Sequence, residues 1–283
     1  MSHSHAPLHR SNSPARDLTE AQRYYDEKTE RLLLKYGPGP RVHFHTGLDA
    51  RLPDQPTLDE LRRELVASQE RLVAHLDADL PVGRFLDVGC GLGGSAIHWA
   101  ERGADVTAVT NVPRHVGVIT ALAATAQVRV RVAQRDAHDL RGLGTFDRAV
   151  AIESSCYLER ARWFHELARV VVPGGRVHVI DCFLGDTSMA SRFDSYWKTR
   201  IGSRDEYHLA AHGAGFEVVS DENLAVRVAP FWELSLAWSC RMQETSPDER
   251  VRLGRSMHEH AWLKSMLLRG GIAYSALTYA RVA

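Results

Sequence analysis

Residues 85–100 read FLDVGCGLGGSAIHWA and hold the densest chemistry-bearing pattern in the chain. An apolar run meets an acid, Asp87, then glycines at 89, 91, 93 and 94, then a stretch of helical composition. A glycine-rich turn between strand and helix lets the backbone approach a ligand and presents N–H groups at the helix N-terminus. A pyrophosphate site wants G-x-G-x-x-G straight after its strand, and a phosphate loop wants Gly-Lys-Ser/Thr. Here no lysine follows the glycines, and Asp87 precedes the first of them. A carboxylate in that place repels pyrophosphate and suits a cationic ligand. The sulfonium and α-ammonium groups of S-adenosylmethionine meet that requirement; a glycine turn with no ligand is the plain alternative.

The elements that must position this turn follow from periodicity and punctuation. From residue 83 the chain alternates strand, turn and helix: GRFLDVG, GGSAIHWAERG, ADVTAVT, a helix around 113–126, VRVRVAQRDA, FDRAVAIESS, then ARWFHELARVV. That last helix is expected to stop at Pro173-Gly174-Gly175, before the strand RVHVIDCF. Such alternation predicts a parallel sheet with helices on both faces. Residues 186–205 read as an insertion, EYHLAAHGAG as a helix, FEVVSDENL as a strand, 231–270 as mixed helix and IAYSALTYARV as a closing strand. Upstream, 57–80 has helical leucine spacing, with Thr57 as N-cap and Glu60 three residues on. A further helical pattern from Leu18 to about Lys35 breaks at GPGP, 37–40. Residues 1–17 are rich in Ser, Pro and His and read as a disordered tail, whose His3, His5 and His9 could bind a metal but fit a frayed polar tail better.

LDVGCGLGG resembles motif I of the class I S-adenosylmethionine-dependent methyltransferases, and the following segments match in order. QRDAHDL resembles the Asp-Ala segment beside adenine, TFDRAVAIESSCYL the strand facing the methyl donor, and LARVVVPGGRVHVID the Pro-Gly-Gly turn with its strand. The resemblance implies a Rossmann-like α/β fold with a mostly parallel seven-stranded sheet, N-terminal helices and a small insertion forming a lid. It divides the chain into a tail (1–17), a helical cap (18–80) and a donor-binding domain (81–283). It implies that Gly89, Gly91 and Gly93 cradle the amino-acid end of the donor with Asp87 ordering the loop. Asp136 and Ala137 would then meet adenine. Thr110 and Asn111 stand where many relatives carry an acid for the ribose, so ribose contacts fall to Thr110, Asn111 and His115.

YYDEKTERLLLKYGPGPRVHFHTG, residues 24–47, resembles the segment before motif I in sterol, tocopherol and geranyl diphosphate C-methyltransferases. The group methylates alkene carbon, which leaves a tertiary carbocation. That chemistry needs apolar walls, electron-rich rings and one base, unless the cation cyclises. Glu153 is the expected base or cation stabiliser, with His45 as a second catalytic residue. Tyr25 is expected over the cofactor. Tyr24, His43, Tyr157, Trp197, Tyr207, Phe231 and Trp232 are expected around a prenyl or terpenoid acceptor, although for any one of Tyr157, Trp197, Tyr207, Phe231 and Trp232 ordinary core packing is the commoner role. His165 carries no expected role. An O- or N-methyltransferase of another small metabolite, with His43 or His45 as base, is the alternative; a donor-binding protein without transferase activity is the third reading.

Lys+Arg and Asp+Glu both number 35 in 283 residues, so no basic footprint marks a nucleic-acid partner. No apolar run reaches the ~20 residues of a membrane span, and no leader-like segment opens the chain, so a cytoplasmic enzyme is expected. Cys90, Cys156, Cys182 and Cys240 lack metal-binding spacing and are expected as reduced thiols. No acidic cluster specifies magnesium, which enters only if the acceptor is a diphosphate; Arg41, Lys198 and Arg200 are then the cations available. The N-terminal helix could close its own site or reach across to a second copy.

Overall fold

The computed structural model describes residues 20–77, 83–245 and 247–282. The expected tail, 1–17, with its three histidines, lies outside the described residues. The N-terminal segment supplies α1 (Glu20–Tyr36) and α2 (Leu58–Asp77). Helix α2 starts as its sequence demands: the Glu60 carboxylate accepts from Thr57 N–H at 2.8 Å and Glu60 N–H donates back to Thr57 Oγ1 at 3.3 Å. The alternating part follows as β1 (Arg84–Val88), α3 (Gly94–Glu101), β2 (Asp105–Thr110), α4 (Pro113–Thr125), β3 (Val130–Gln134), β4 (Phe146–Ile152), α5 (Arg160–Val170) and β5 (Val171–Leu184). The chain closes with α6 (Ala190–Trp197), α7 (Arg204–Gly213), β6 (Phe216–Asn223), α8 (Ala225–Thr245), α9 (Arg250–Arg269) and β7 (Ile272–Arg281).

The seven strands form one sheet in the order β3-β2-β1-β4-β5-β7-β6. The pairs from β3 to β5 are parallel, as the alternation predicts, while β7 runs antiparallel to both β5 and β6. Two boundaries differ from the sequence reading. Helix α5 ends at Val170 rather than at the Pro-Gly-Gly turn, because Val171 already pairs with Phe146. The mixed-helix region resolves into two long helices, and α8 begins at Ala225, six residues before the predicted start, with Pro230 inside its first turns.

Each face of the sheet is covered. One core packs α2, α3, α8 and α9 against Phe85, Val106, Val150 and Tyr274; the other packs α5 and α7 against Leu86, Ala149, Val179 and Tyr279. Burial on both faces explains why the strands read as nearly continuous apolar runs. The strand order reverses between β1 and β4, since the chain winds outward through β2 and β3 and then returns. Loops leaving the carboxyl ends of β1 and β4 therefore diverge, which opens a crevice there.

Candidate active site

Asp87, Gly89, Gly91 and Glu153 all lie on or beside the two strands that border this crevice. Gly89 (φ 70°) and Gly91 (φ 54°) occupy the left-handed region, and a Cβ at Gly89 would collide with Ser154. Ser154 Oγ donates to Val88 O at 2.6 Å, locking the β4 loop against the glycine turn. Asp87 is buried and accepts from Ser95 Oγ at 2.7 Å. Burial pushes its carboxyl up to about 7, and the Ser95 hydroxyl offsets part of that rise. A cation beside it would favour the ionised form. Gly93 does something other than expected. Its Cβ position meets Ile119 Cγ2 at 2.8 Å, so this glycine lets α3 approach α4 and lines none of the cavities described here.

A first cavity runs from Gly89 and Gly91 past Thr110, Asn111 and His115 to Asp136 and Ala137. These are the residues the sequence assigns to the donor, apart from Gly93 and Asp87. Asp87 instead borders a small adjoining hollow with Ser95, His43 and His45. Burial lowers His115 to about 4, leaving its ring neutral, and its Nε2 meets Thr29 Oγ1 of α1 at 3.2 Å. A second cavity lies beyond Glu153, walled by Tyr36, Phe193, Trp197, Phe231 and Trp232. Tyr25, Phe44, Glu153 and Tyr157 line both, so they form the partition between the two spaces. The Tyr25 and Tyr157 hydroxyls hydrogen-bond to each other, and the Tyr25 ring meets Phe44 edge-on at 5.7 Å. The cavities measure about 120 and 80 Å³, tighter than the ~300 Å³ of ordinary ligand sites. The partition joins α1 and the 42–47 segment, through Tyr25 and Phe44, to the end of β4 and the turn after it, through Glu153 and Tyr157.

Glu153 sits at φ 48°, a conformation that non-glycine residues hold only when their surroundings enforce it. The enforcement is visible: its N–H donates to Ile180 O at 2.7 Å, while its Oε1 accepts from Thr46 N at 2.7 Å and from Tyr274 OH at 2.8 Å. Burial raises the carboxyl to about 7, against the lowering effect of those two hydrogen bonds. Residues Thr46 and Tyr274, together with Phe44 and Tyr36, escaped the sequence reading as site residues. Only the pattern HFHTG, with apolar and polar residues alternating, hinted at Phe44 and Thr46.

The His43 and His45 rings meet edge-on, their centroids 5.0 Å apart. His45 borders the second cavity and donates toward Thr46 O at 2.8 Å; burial, aided by His43, lowers it to about 3. His43 turns inward to Glu70 Oε1 at 2.9 Å. Burial alone would raise Glu70, but His43, His98 and Arg41 hold its carboxyl well below the usual range. Tyr24 lies outside the second cavity, in a larger space between α1 and α9. Tyr207 leaves the pocket altogether: it is buried in the opposite core against Phe183, its hydroxyl 3.1 Å from Ser155 Oγ. Helix α7 packs on the α5 face of the sheet, which turns Tyr207 away from the acceptor side. Of the expected anion-binding cations, Arg41 is committed to Glu70 and Glu101.

Residues 85–175 match a methyltransferase-domain family model. The chain is 32% identical over 163 residues to a 2-methyl-6-phytyl-1,4-hydroquinone methyltransferase of Synechocystis, covering 56% of this chain and about half (49%) of that protein. It is 30% identical over 234 residues to a geranyl diphosphate 2-C-methyltransferase of Saccharopolyspora erythraea, covering 75% of this chain and 81% of the relative. In fold it resembles a geranyl diphosphate methyltransferase solved with geranyl diphosphate and sinefungin, with a TM-score of 0.79 at 23% identity over 93% of this chain and 98% of the other. A match this long, laid over a sheet whose strand order opens beside a glycine turn and a buried acid, makes the chain a member of the class I S-adenosylmethionine-dependent methyltransferases.

Proposed function

We propose that the protein transfers a methyl group from S-adenosylmethionine to an alkene carbon of a prenyl or terpenoid small molecule. The observation that carries this reading is Glu153: a buried carboxyl, poised near neutrality, in the partition between the crevice lined by Gly89, Thr110 and Asp136 and a second cavity walled by aromatic rings. The first cavity, joined to the hollow at Asp87 and with the partition displaced, would hold the donor. Asp87 and the Gly89–Gly91 backbone suit its ammonium end, Thr110, Asn111 and His115 its ribose, and Asp136 with Ala137 its adenine. Bound there, S-adenosylmethionine supplies an electrophilic sulfonium methyl.

The alkene π pair forms the new C–CH₃ bond while the S–CH₃ bond breaks and its electrons return to sulfur. The positive charge passes to the neighbouring acceptor carbon. Rings of Tyr25, Phe44, Tyr157 and Trp232 can face such a cation, and their low-polarity surroundings strengthen that attraction. The ionised Glu153 then accepts a proton from the adjacent carbon, and the C–H pair closes a new double bond. On the same wall burial keeps His45 neutral and weakly basic, and the Asp181 carboxylate is already engaged by the Ser155 hydroxyl and the Cys156 and Cys182 N–H groups.

A second reading, O- or N-methylation, draws support from His45 on the cavity wall, linked through His43 to Glu70 with 3.2 Å and 2.9 Å between successive groups. Labelled S-adenosylmethionine and a panel of prenyl diphosphates, prenylated natural products and phenols separate the two. The expected result is a product heavier by one methylene with the label on carbon. Methyl ethers or methylamines as the sole products would overturn the first reading.

A further inference from the structure

The chain carries four lysines against 31 arginines, and two of the four, Lys28 and Lys35, stand two turns apart on α1 and line one interior space. Arginine stays protonated in proteins, whereas a buried lysine can give up its proton and become a nucleophile. The space is a cavity of about 580 Å³ between α1, the end of α6, α8 and α9. That is the volume of an ordinary small-molecule site. Its charge is one-sided: six Lys and Arg side chains line it against Glu27 and Glu249. Glu249 is already paired with Arg252 and, at 3.6 Å, with Arg31.

Lys35 is the more deeply set of the two lysines. It is buried, donates to Ser235 Oγ at 2.6 Å and lies 5.0 Å from the Trp238 ring centroid. The Ser235 hydroxyl, 3.3 Å from His260 Nδ1, can accept from the lysine while donating to that ring. Lys28 is half-buried, bonds to the Tyr24 hydroxyl and lies 3.8 Å from the Tyr24 ring centroid, a contact that favours its ammonium form. Neither nitrogen pairs with a carboxylate among the described residues, and none of those residues donates to the Lys35 nitrogen. A buried cation without counter-charge is costly, and loss of a proton relieves the cost. Burial, with Lys28 and Arg252 adding, lowers Lys35 to about 7, so the free amine predominates at pH 8.

We infer that Lys35 is a carbamylation site: its amine adds carbon dioxide, and the carbamate so formed takes the Lys28 ammonium as its counter-ion. The nitrogen lone pair forms the N–C bond, one C=O π pair moves onto oxygen, and a proton leaves the nitrogen for solvent. Carbon dioxide comes from dissolved bicarbonate; small and uncharged, it can enter a cavity lined by Leu32, Trp238 and Leu253 without a desolvation cost. The product turns two like charges on one helix face into an ion pair, with the Ser235 hydroxyl as a further donor to the new oxygens. Both lysines sit on α1, which carries Tyr25, and Ser235 sits on α8, so the modification fastens α1 to the helices behind it.

The test is chemical trapping on the full chain. The protein is held at pH 8 with isotope-labelled bicarbonate, treated with triethyloxonium to esterify carbamates, digested and read by tandem mass spectrometry. The labelled ethyl carbamate is expected on Lys35, at least tenfold above Lys264, which is paired with Glu233 at 2.7 Å. Lys28→Met should lower the Lys35 label severalfold by removing the counter-ion. Bicarbonate should also raise the thermal unfolding midpoint relative to chloride at equal ionic strength, by mass action on the folded state. Lys35→Arg, which keeps the charge and lacks the nucleophile, should abolish that rise. No label on Lys35, equal label on Lys264, a Lys35 label unchanged by Lys28→Met, or an equal thermal rise in Lys35→Arg would overturn the inference. If a variant does not fold, the wild-type labelling ratio decides it. Neither readout involves methyl transfer, so the outcome is independent of the alkene-methylation reading.

Discussion

Glu153 concentrates the opposing demands of the site in one residue. Its backbone is held at φ 48°, its carboxyl is buried, and two hydrogen bonds favour the charge that burial opposes. As the proposed base it would work only when ionised, so the rate should rise with pH through about 7. Glu153→Gln should lower turnover about 10²- to 10⁴-fold and abolish that limb, measured as initial rates from pH 5.5 to 9. Stability should move the other way. A carboxyl whose folded pKa is raised contributes stability below its unfolded value, and that contribution is lost as pH rises through about 7. The glutamine variant should therefore unfold at higher denaturant concentration than wild type at pH 8, by on the order of 2–3 kcal/mol, with little difference at pH 4.5. Equal stability at both pH values would show that the carboxyl is not poised as described.

At the scale of elements, the donor turn depends on how closely α3 approaches the 42–47 segment. A Cβ at Gly94 would lie 2.6 Å from His43 Nδ1 and 2.7 Å from Val42 O, and the second of these is backbone that cannot rotate aside. Gly94→Ala should cost about 1–3 kcal/mol by overpacking and weaken donor binding, because the displaced segment carries Phe44 and His45. Gly103 is the control: φ is 86° there, but nothing lies within 4 Å of a Cβ. Gly103→Ala should cost only about 1 kcal/mol and leave donor affinity intact. Denaturant titration and equilibrium donor binding on both variants check this; equal losses of donor affinity would sink the proposed coupling of α3 to the 42–47 segment.

The whole molecule decides what surrounds Glu153. Strand β7, near the end of the chain, inserts antiparallel between β5 and β6 and brings Tyr274 to Glu153 across 121 residues of sequence. Removing that hydroxyl takes away a bond to the ionised form. Tyr274→Phe should therefore shift the rising limb of the rate to higher pH by on the order of one unit, leaving the plateau rate within severalfold of wild type. A limb that stays near 7 would detach Tyr274 from the carboxyl.

The sequence by itself determined the glycine turn and the elements that flank it. Strand, glycine turn, buried acid and helix are contiguous in 85–100, and local backbone geometry makes their spacing readable. The same holds for the parallel alternation and the Thr57–Glu60 cap, which rest on period and on short-range hydrogen bonds. The surroundings of Glu153 were decided only by tertiary structure. Thr46, Glu153 and Tyr274, or Lys35 and Ser235, meet across 107 to 200 residues, and no local pattern encodes those meetings. Tyr157 and Tyr207 are the same residue type in similar settings, yet one lines the cavities and the other fills the opposite core. Which face of the sheet a helix covers depends on packing summed over the molecule, and that sum placed the aromatic wall, the partition and the paired lysines.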